Sequence, residues 1–135
     1  MPVNPRPTVD PPRRLRATDL AQAAGISVQQ VRNYIDLGVL PPVERTASGY
    51  RIFTDDHAAA LTVARQLAEG HGWARTRDIM RAAHAGDLEA VLAALDASHA
   101  EPASRDRAAQ RRSLLRLRAS AALYAYLQRL KLDVL

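Results

Sequence analysis

Ser27-Val28-Gln29-Gln30-Val31-Arg32-Asn33-Tyr34-Ile35-Asp36-Leu37-Gly38 is the stretch whose reading decides the fold. Ser27 followed three residues later by Gln30 is a capping box. The serine oxygen accepts from the third helical N–H, and the glutamine side chain reaches back to the cap. Val28, Val31 and Ile35 recur at helical spacing and form one buried stripe, which Gly38 ends. Upstream, Thr18 is placed to N-cap a short helix, with Asp19 in its first turn and Leu20 and Ala24 on its inner face. Gly25 is the left-handed residue that stops it. Two short helices joined by Gly25-Ile26-Ser27 make a helix-turn-helix. Gln29, Gln30, Arg32 and Asn33 then lie off the buried stripe, as long donors that reach base edges and phosphates. Taken alone, the same four residues also fit an ordinary solvated helix face.

The residues that follow favour the first reading. Pro41-Pro42 forces an extended exit, and Val43-Glu44-Arg45 and Tyr50-Arg51-Ile52-Phe53 read as two strands around an Ala47-Ser48-Gly49 turn. A lone two-stranded hairpin is marginal in water and needs the helices behind it. A helix-turn-helix with such a hairpin is a winged helix, and this wing carries Arg45 and Arg51.

Downstream the pattern is helical. Thr54 caps a third helix with Asp55 and Asp56 in its first turn and Leu61, Ala64, Leu67 and Ala68 inward, and Gly70 and Gly72 are read as its end. A shorter helix runs to about His84 with Ile79, Met80 and Ala83 inward. Asp87 caps the next, where Leu88, Val91, Leu92 and Leu95 share a face. Pro102 interrupts, and from Ser104 to Leu130 the chain reads as helix again. Leu114, Leu117, Ala121 and Tyr124 form one stripe of it, and Leu115, Ala119, Ala122 and Tyr126 the next. A stripe that wide on a last helix calls for a partner subunit. The fold class expected is therefore mainly α. A Pro- and Arg-rich arm spans 1–14, a winged helix-turn-helix 15–86, and a helical dimerisation and effector region 87–135.

Composition narrows the chemistry. The 135 residues carry no cysteine, which excludes disulfide scaffolds, thiol catalysis and thiolate metal sites. Met1 to Arg16 has no apolar segment of the kind a secretory signal needs, and Ala119 to Leu127 is too short to span a bilayer, so a cytoplasmic protein without membrane contact is expected. The net charge of +5 raises the prior for an anionic partner, yet it is unevenly placed: +1 over residues 1–56, −1 over 57–100 and +5 over 101–135. Total basicity alone does not point to the N-terminal half as a nucleic-acid reader.

From Ser27 to Tyr34, through Leu37-Gly38-Val39-Leu40-Pro41-Pro42, and on through Arg45-Thr46-Ala47-Ser48-Gly49-Tyr50-Arg51-Ile52-Phe53, the sequence resembles the MerR family of bacterial transcription regulators. The resemblance implies a homodimer that binds double-stranded promoter DNA and controls transcription by distorting it, with RNA polymerase as a partner and a small-molecule effector in some members. It implies that Arg32, Tyr34, Arg45, Tyr50 and Arg51 contact phosphates and that Val28, Gln29 and Gln30 read bases. Arg16, Thr18, Ser27, Asn33, Ser48 and Gly49 complete the expected DNA surface. The dimer contact is expected from Leu88, Val91, Leu92, Leu95, Leu114, Leu115, Leu117, Ala121 and Tyr124.

Other chemistry is weaker. His57, His71, His84 and His99 are too spread for a compact metal site, no nucleotide-binding or nucleophile motif is present, and neither a cofactor nor an enzymatic activity is expected. Trp73 reads as a plug between the third and fourth helices. A ligand contact is the alternative for it, and for Tyr124 and Tyr126. The arginines from 105 to 118 read as the solvated face of the last helix, or as a contact with flanking DNA, polymerase or an acidic partner. Two rival functions share this fold: an architectural DNA binder of the excisionase type, and a protein-binding module like the MerR-like chaperone modulators.

Overall fold

The computed structural model describes residues 14–99 and 106–132, without the side chains of 97–99. The arm over residues 1–13, Pro102, Ser104 and Arg105 lie outside the described residues.

Local signals set most elements. Helix α1 (Ala17–Ala24) begins two residues earlier than a cap at Thr18 allows. The Asp19 carboxylate accepts from the Arg16 backbone N–H at 2.9 Å, so Arg16 is the cap and Thr18 sits inside the first turn. The cause is non-local. Leu15 pairs with Phe53 in an antiparallel bridge, its N–H 2.7 Å from the Phe53 carbonyl, and this delivers the chain to the helix at Arg16. Gly25, at φ +70°, turns the chain where an L side chain would be strained. Helix α2 (Val28–Asp36) starts with the capping box as read: Ser27 Oγ accepts from the Gln30 N–H at 3.1 Å, and Gln30 Oε1 from the Ser27 N–H at 3.2 Å.

Strands β1 (Glu44–Arg45) and β2 (Arg51–Ile52) pair antiparallel, with Glu44 opposite Ile52 and Arg45 opposite Arg51. They are shorter than the expected strands. Val43 and Tyr50 fall outside the ladder, and Phe53 pairs with Leu15 instead.

Helix α3 (Asp55–His71) opens with Thr54 Oγ1 accepting from the Asp56 N–H at 3.2 Å and His57 Nδ1 accepting from the Thr54 N–H at 3.0 Å. It does not end at Gly70, which is buried inside its last turn. A Cβ there would lie 2.9 Å from the Arg116 nitrogen and 3.0 Å from its Cα, so the glycine serves a close backbone approach. Arg116 Nε also donates to the Gly70 carbonyl at 2.6 Å. The helix stops at Gly72, and α4 (Trp73–His84) follows, then α5 (Leu88–His99), whose first turn is held by Asp87 Oδ1 accepting from the Ala90 N–H. Helix α6 (Arg107–Arg129) begins at Asp106, whose Oδ1 accepts from the Ala108 N–H at 3.1 Å.

The described chain has α3 at its centre. α1, α4 and α6 pack on α3, while α2 packs on α1 and α5 on α4. One apolar core unites them: Leu61 and Leu67 of α3 lie with Ile79 and Met80 of α4, Val91 of α5, and Leu123 and Leu127 of α6. Among the described residues no helix is long and apolar enough to cross a membrane.

Candidate nucleic-acid interface

The hairpin folds beside α2 and the start of α1, and a cleft of about 840 Å³ opens between them. Four arginines from four places in the sequence converge on it. Arg16 comes from the α1 cap, Arg32 from the outer face of α2, and Arg45 and Arg51 from opposite positions on the two strands. No carboxylate lines the cleft. Like charges are not gathered this way to stabilise a fold. Such a concentration of guanidinium groups suits an anion with several binding points.

The details agree with that chemistry. Arg45 Nη1 donates to the Gly49 carbonyl at 3.3 Å and steadies the turn. Thr46 and Tyr50 close the hairpin with two bonds, Thr46 N–H to the Tyr50 carbonyl at 2.8 Å and Tyr50 N–H to Thr46 Oγ1 at 3.1 Å. These bonds fix the backbone of Tyr50 while its ring stays 75% exposed. Arg51 is half-buried, and its Nη1 is shielded with no hydrogen-bond partner, an orphan donor of the kind an incoming phosphate oxygen would satisfy.

Eight of the expected DNA-surface residues line the cleft: Arg16, Thr18, Val28, Arg32, Arg45, Gly49, Tyr50 and Arg51. Six do not. Ser27 and Gln30 are engaged in the capping box. Gln29 Nε2 donates to Asn33 Oδ1 at 3.1 Å on the exposed side of α2, and Ser48 stands at the hairpin tip. Tyr34 is half-buried and packs on Trp73, ring centroids 4.9 Å apart and planes 39° apart. Ala17 and Phe53 also line the cleft. The sequence reading missed both, since their place depends on the Leu15–Phe53 bridge.

Trp73, read as a plug between α3 and α4, packs its ring on Tyr34 of α2. It is the first residue of α4, and 38% of its surface is exposed. Tyr126, also read as a possible ligand contact, lies inside the chain. It is buried, and its hydroxyl donates to His84 Nε2 at 2.7 Å, while His84 Nδ1 donates to the Gly38 carbonyl at 2.9 Å. Tyr124 remains exposed. Of the residues assigned to a partner contact, Val91 and Leu95 are buried in the chain's own core and Leu88 and Leu115 are half-buried. Leu92, Leu114, Leu117, Ala121 and Tyr124 face solvent.

Comparison with known proteins places the same segment. Residues 16–53 match the family model described as MerR family regulatory protein. The chain is 33% identical over 55 residues to the HTH-type transcriptional regulator CueR of Escherichia coli O157:H7, a match covering 41% of each chain. It is 31% identical over 55 residues to the protein of that name in Salmonella typhi, covering 41% of this chain and 40% of the relative. The match thus spans about two fifths of the length of these relatives. No solved structure shows significant similarity.

Proposed function

The chain carries a MerR-family segment at residues 16–53, and from that premise we propose that it is a sequence-specific regulator of transcription that binds promoter DNA as a homodimer. The observation that carries this reading is the cleft where Arg16, Arg32, Arg45 and Arg51 meet without an opposing acid. In this reading α2 enters the major groove with Val28, Gln29 and Gln30 at its leading end, the geometry of a recognition helix. The four arginines and Tyr50 hold the backbone on either side. Each phosphate neutralised releases counterions, so affinity falls with salt. Distorting the promoter costs a few kcal/mol, which these contacts offset. RNA polymerase is the partner such control requires, and the exposed rings of Trp73 and Tyr124 are candidates for an effector contact.

The homodimer is supported by α6. Leu114, Leu117, Ala121 and Tyr124 follow the 3-4-3 spacing of a coiled-coil seam, and Leu114 and Leu117 are 66% and 68% exposed.

Selection of genomic DNA fragments on the purified protein, followed by sequencing, tests the whole reading. The expected result is an inverted repeat inside promoters with half-sites about one helical turn apart. Arg51→Ala is expected to weaken binding to every fragment and to flatten the salt slope by about one. Enrichment without a motif would replace the regulator with an architectural DNA binder. No enrichment at low salt would replace it with a protein-binding module.

A further inference from the structure

The positive charge of the winged helix is carried by the segment that leads into it. Residues 1–16 hold Arg6, Arg13, Arg14 and Arg16 against Asp10, a net charge of +3. Residues 17–56 hold Arg32, Arg45 and Arg51 against five acids, a net charge of −2. The junction between the two is fixed at Leu15. Its backbone exchanges two bonds with Phe53, at 2.7 and 3.4 Å, and its side chain packs against the core. Successive side chains of an extended chain point to opposite sides. Arg16 is extended, at φ −91° and ψ 156°, and lines the cleft. Arg14 therefore stands on the same side as Arg16, about 7 Å further from the start of α1. It is exposed, and among the described residues its side chain has no hydrogen bond or ion pair.

Arg14 does not line the cleft, so an anion that it meets lies outside the one that Arg16, Arg32, Arg45 and Arg51 surround. A fifth guanidinium on the same side continues the positive surface past the rim. Proline restricts φ at five of residues 1–14, which reduces the chain entropy lost when this segment is held against a partner. We propose that Arg14, with Arg13 and Arg6 before it in the sequence, binds the phosphate backbone of DNA beyond the half-site that α2 reads. Phosphate is the same at every base pair, so the contact adds affinity and fixes register without adding sequence preference. This inference rests on the DNA reading of the proposed function and extends its surface to residues outside the cleft.

Substitutions in the full chain test it, since Leu15 holds Phe53 through its backbone and the exposed Arg14 side chain supports nothing in the fold. Fluorescence anisotropy is measured over a range of salt concentrations on two duplexes. One is trimmed to the half-sites recovered by selection, and the other adds about one helical turn of flank at each end. On the flanked duplex Arg14→Gln is expected to flatten the salt slope by about one. Arg6→Gln, Arg13→Gln and Arg14→Gln together are expected to flatten it by about three and to weaken binding roughly tenfold or more. On the trimmed duplex the same variants are expected to match the wild type. A triple variant that matches the wild type on the flanked duplex would overturn this contact, and the loss caused by Arg51→Ala would leave the regulator reading standing. Equal losses on both duplexes would overturn its place beyond the half-site. A loss that changes with the flank sequence would overturn phosphate as the group bound. A wild-type chain that binds no DNA at low salt would overturn this contact and the regulator reading together.

Discussion

His84 joins three parts of the molecule through one neutral ring. A carbonyl only accepts, so Nδ1 carries the proton facing Gly38, and Nε2 is left to accept from the Tyr126 hydroxyl. Burial holds the imidazole below its ordinary value. The Gly38 bond opposes that shift and the neighbouring His57 adds to it. Burial, with Asp56 adding, pushes the Tyr126 hydroxyl far above its usual range. Because the folded pKa of His84 is depressed, the unfolded chain takes up the proton first as pH falls. Stability is complete above the unfolded value near 6.5 and declines below it until the lower, folded value is passed. The urea midpoint of the wild type is therefore expected to fall as pH drops from 7 through 6. Tyr126→Phe strands Nε2 without a donor and is expected to cost about 1–2 kcal/mol at pH 7. A midpoint that is flat across this range, or a Tyr126→Phe variant as stable as wild type, would contradict the network.

At the scale of elements, Gly70 sets two effects against each other. Alanine is the better helix former, and replacing a helical glycine ordinarily stabilises by about 0.4–1 kcal/mol. Here the added carbon meets Arg116 backbone at 2.9 and 3.0 Å, atoms that cannot swing aside. Overpacking of this kind costs about 1–3 kcal/mol, so the close contact wins. Gly70→Ala is expected to lower the urea midpoint and to loosen α6 from α3, readable as faster hydrogen exchange in α6. A raised midpoint would mean that α6 does not approach α3 this closely. The same residue shows what the sequence can convey. The Ser27–Gln30 box, the turn at Gly25 and the caps at Thr54 and Asp87 were legible because each partner lies within three residues. Gly70 was misread as a helix end because its reason lies 46 residues away in Arg116. Thr18 lost its cap role to a bridge between Leu15 and Phe53, and the partners of Trp73 and Tyr126, which are Tyr34 and His84, were not legible. The arginines of the candidate interface were legible through motif spacing. Of the cleft's other walls, Ala17 and Phe53 were not, because their place depends on the Leu15–Phe53 bridge.

At the scale of the whole molecule, charge totals mislead and charge placement does not. The first 56 residues carry a net charge of only +1, yet the cleft gathers four of their seven arginines and none of their acids. The reading surface is also tied to the proposed dimer surface. Both α1, which carries α2, and α6 pack on α3, and they share one apolar core. The His84 network further links α6 to the end of α2. In the proposed homodimer, two protomers joined through α6 would thus hold their α2 helices at a fixed separation and rotation. DNA of one set spacing would satisfy both. Inserting about five base pairs between the half-sites recovered by selection turns one of them to the far side of the duplex. That insertion is expected to cost on the order of a hundredfold in affinity, as one protomer loses its phosphate and base contacts together. Inserting about ten base pairs restores the facing but adds roughly 34 Å of separation, so it is not expected to restore binding. Fluorescence anisotropy at one fixed salt concentration measures both. Equal affinity for all three spacings would mean that each protomer reads its half-site alone and that the core does not fix the two readers relative to each other.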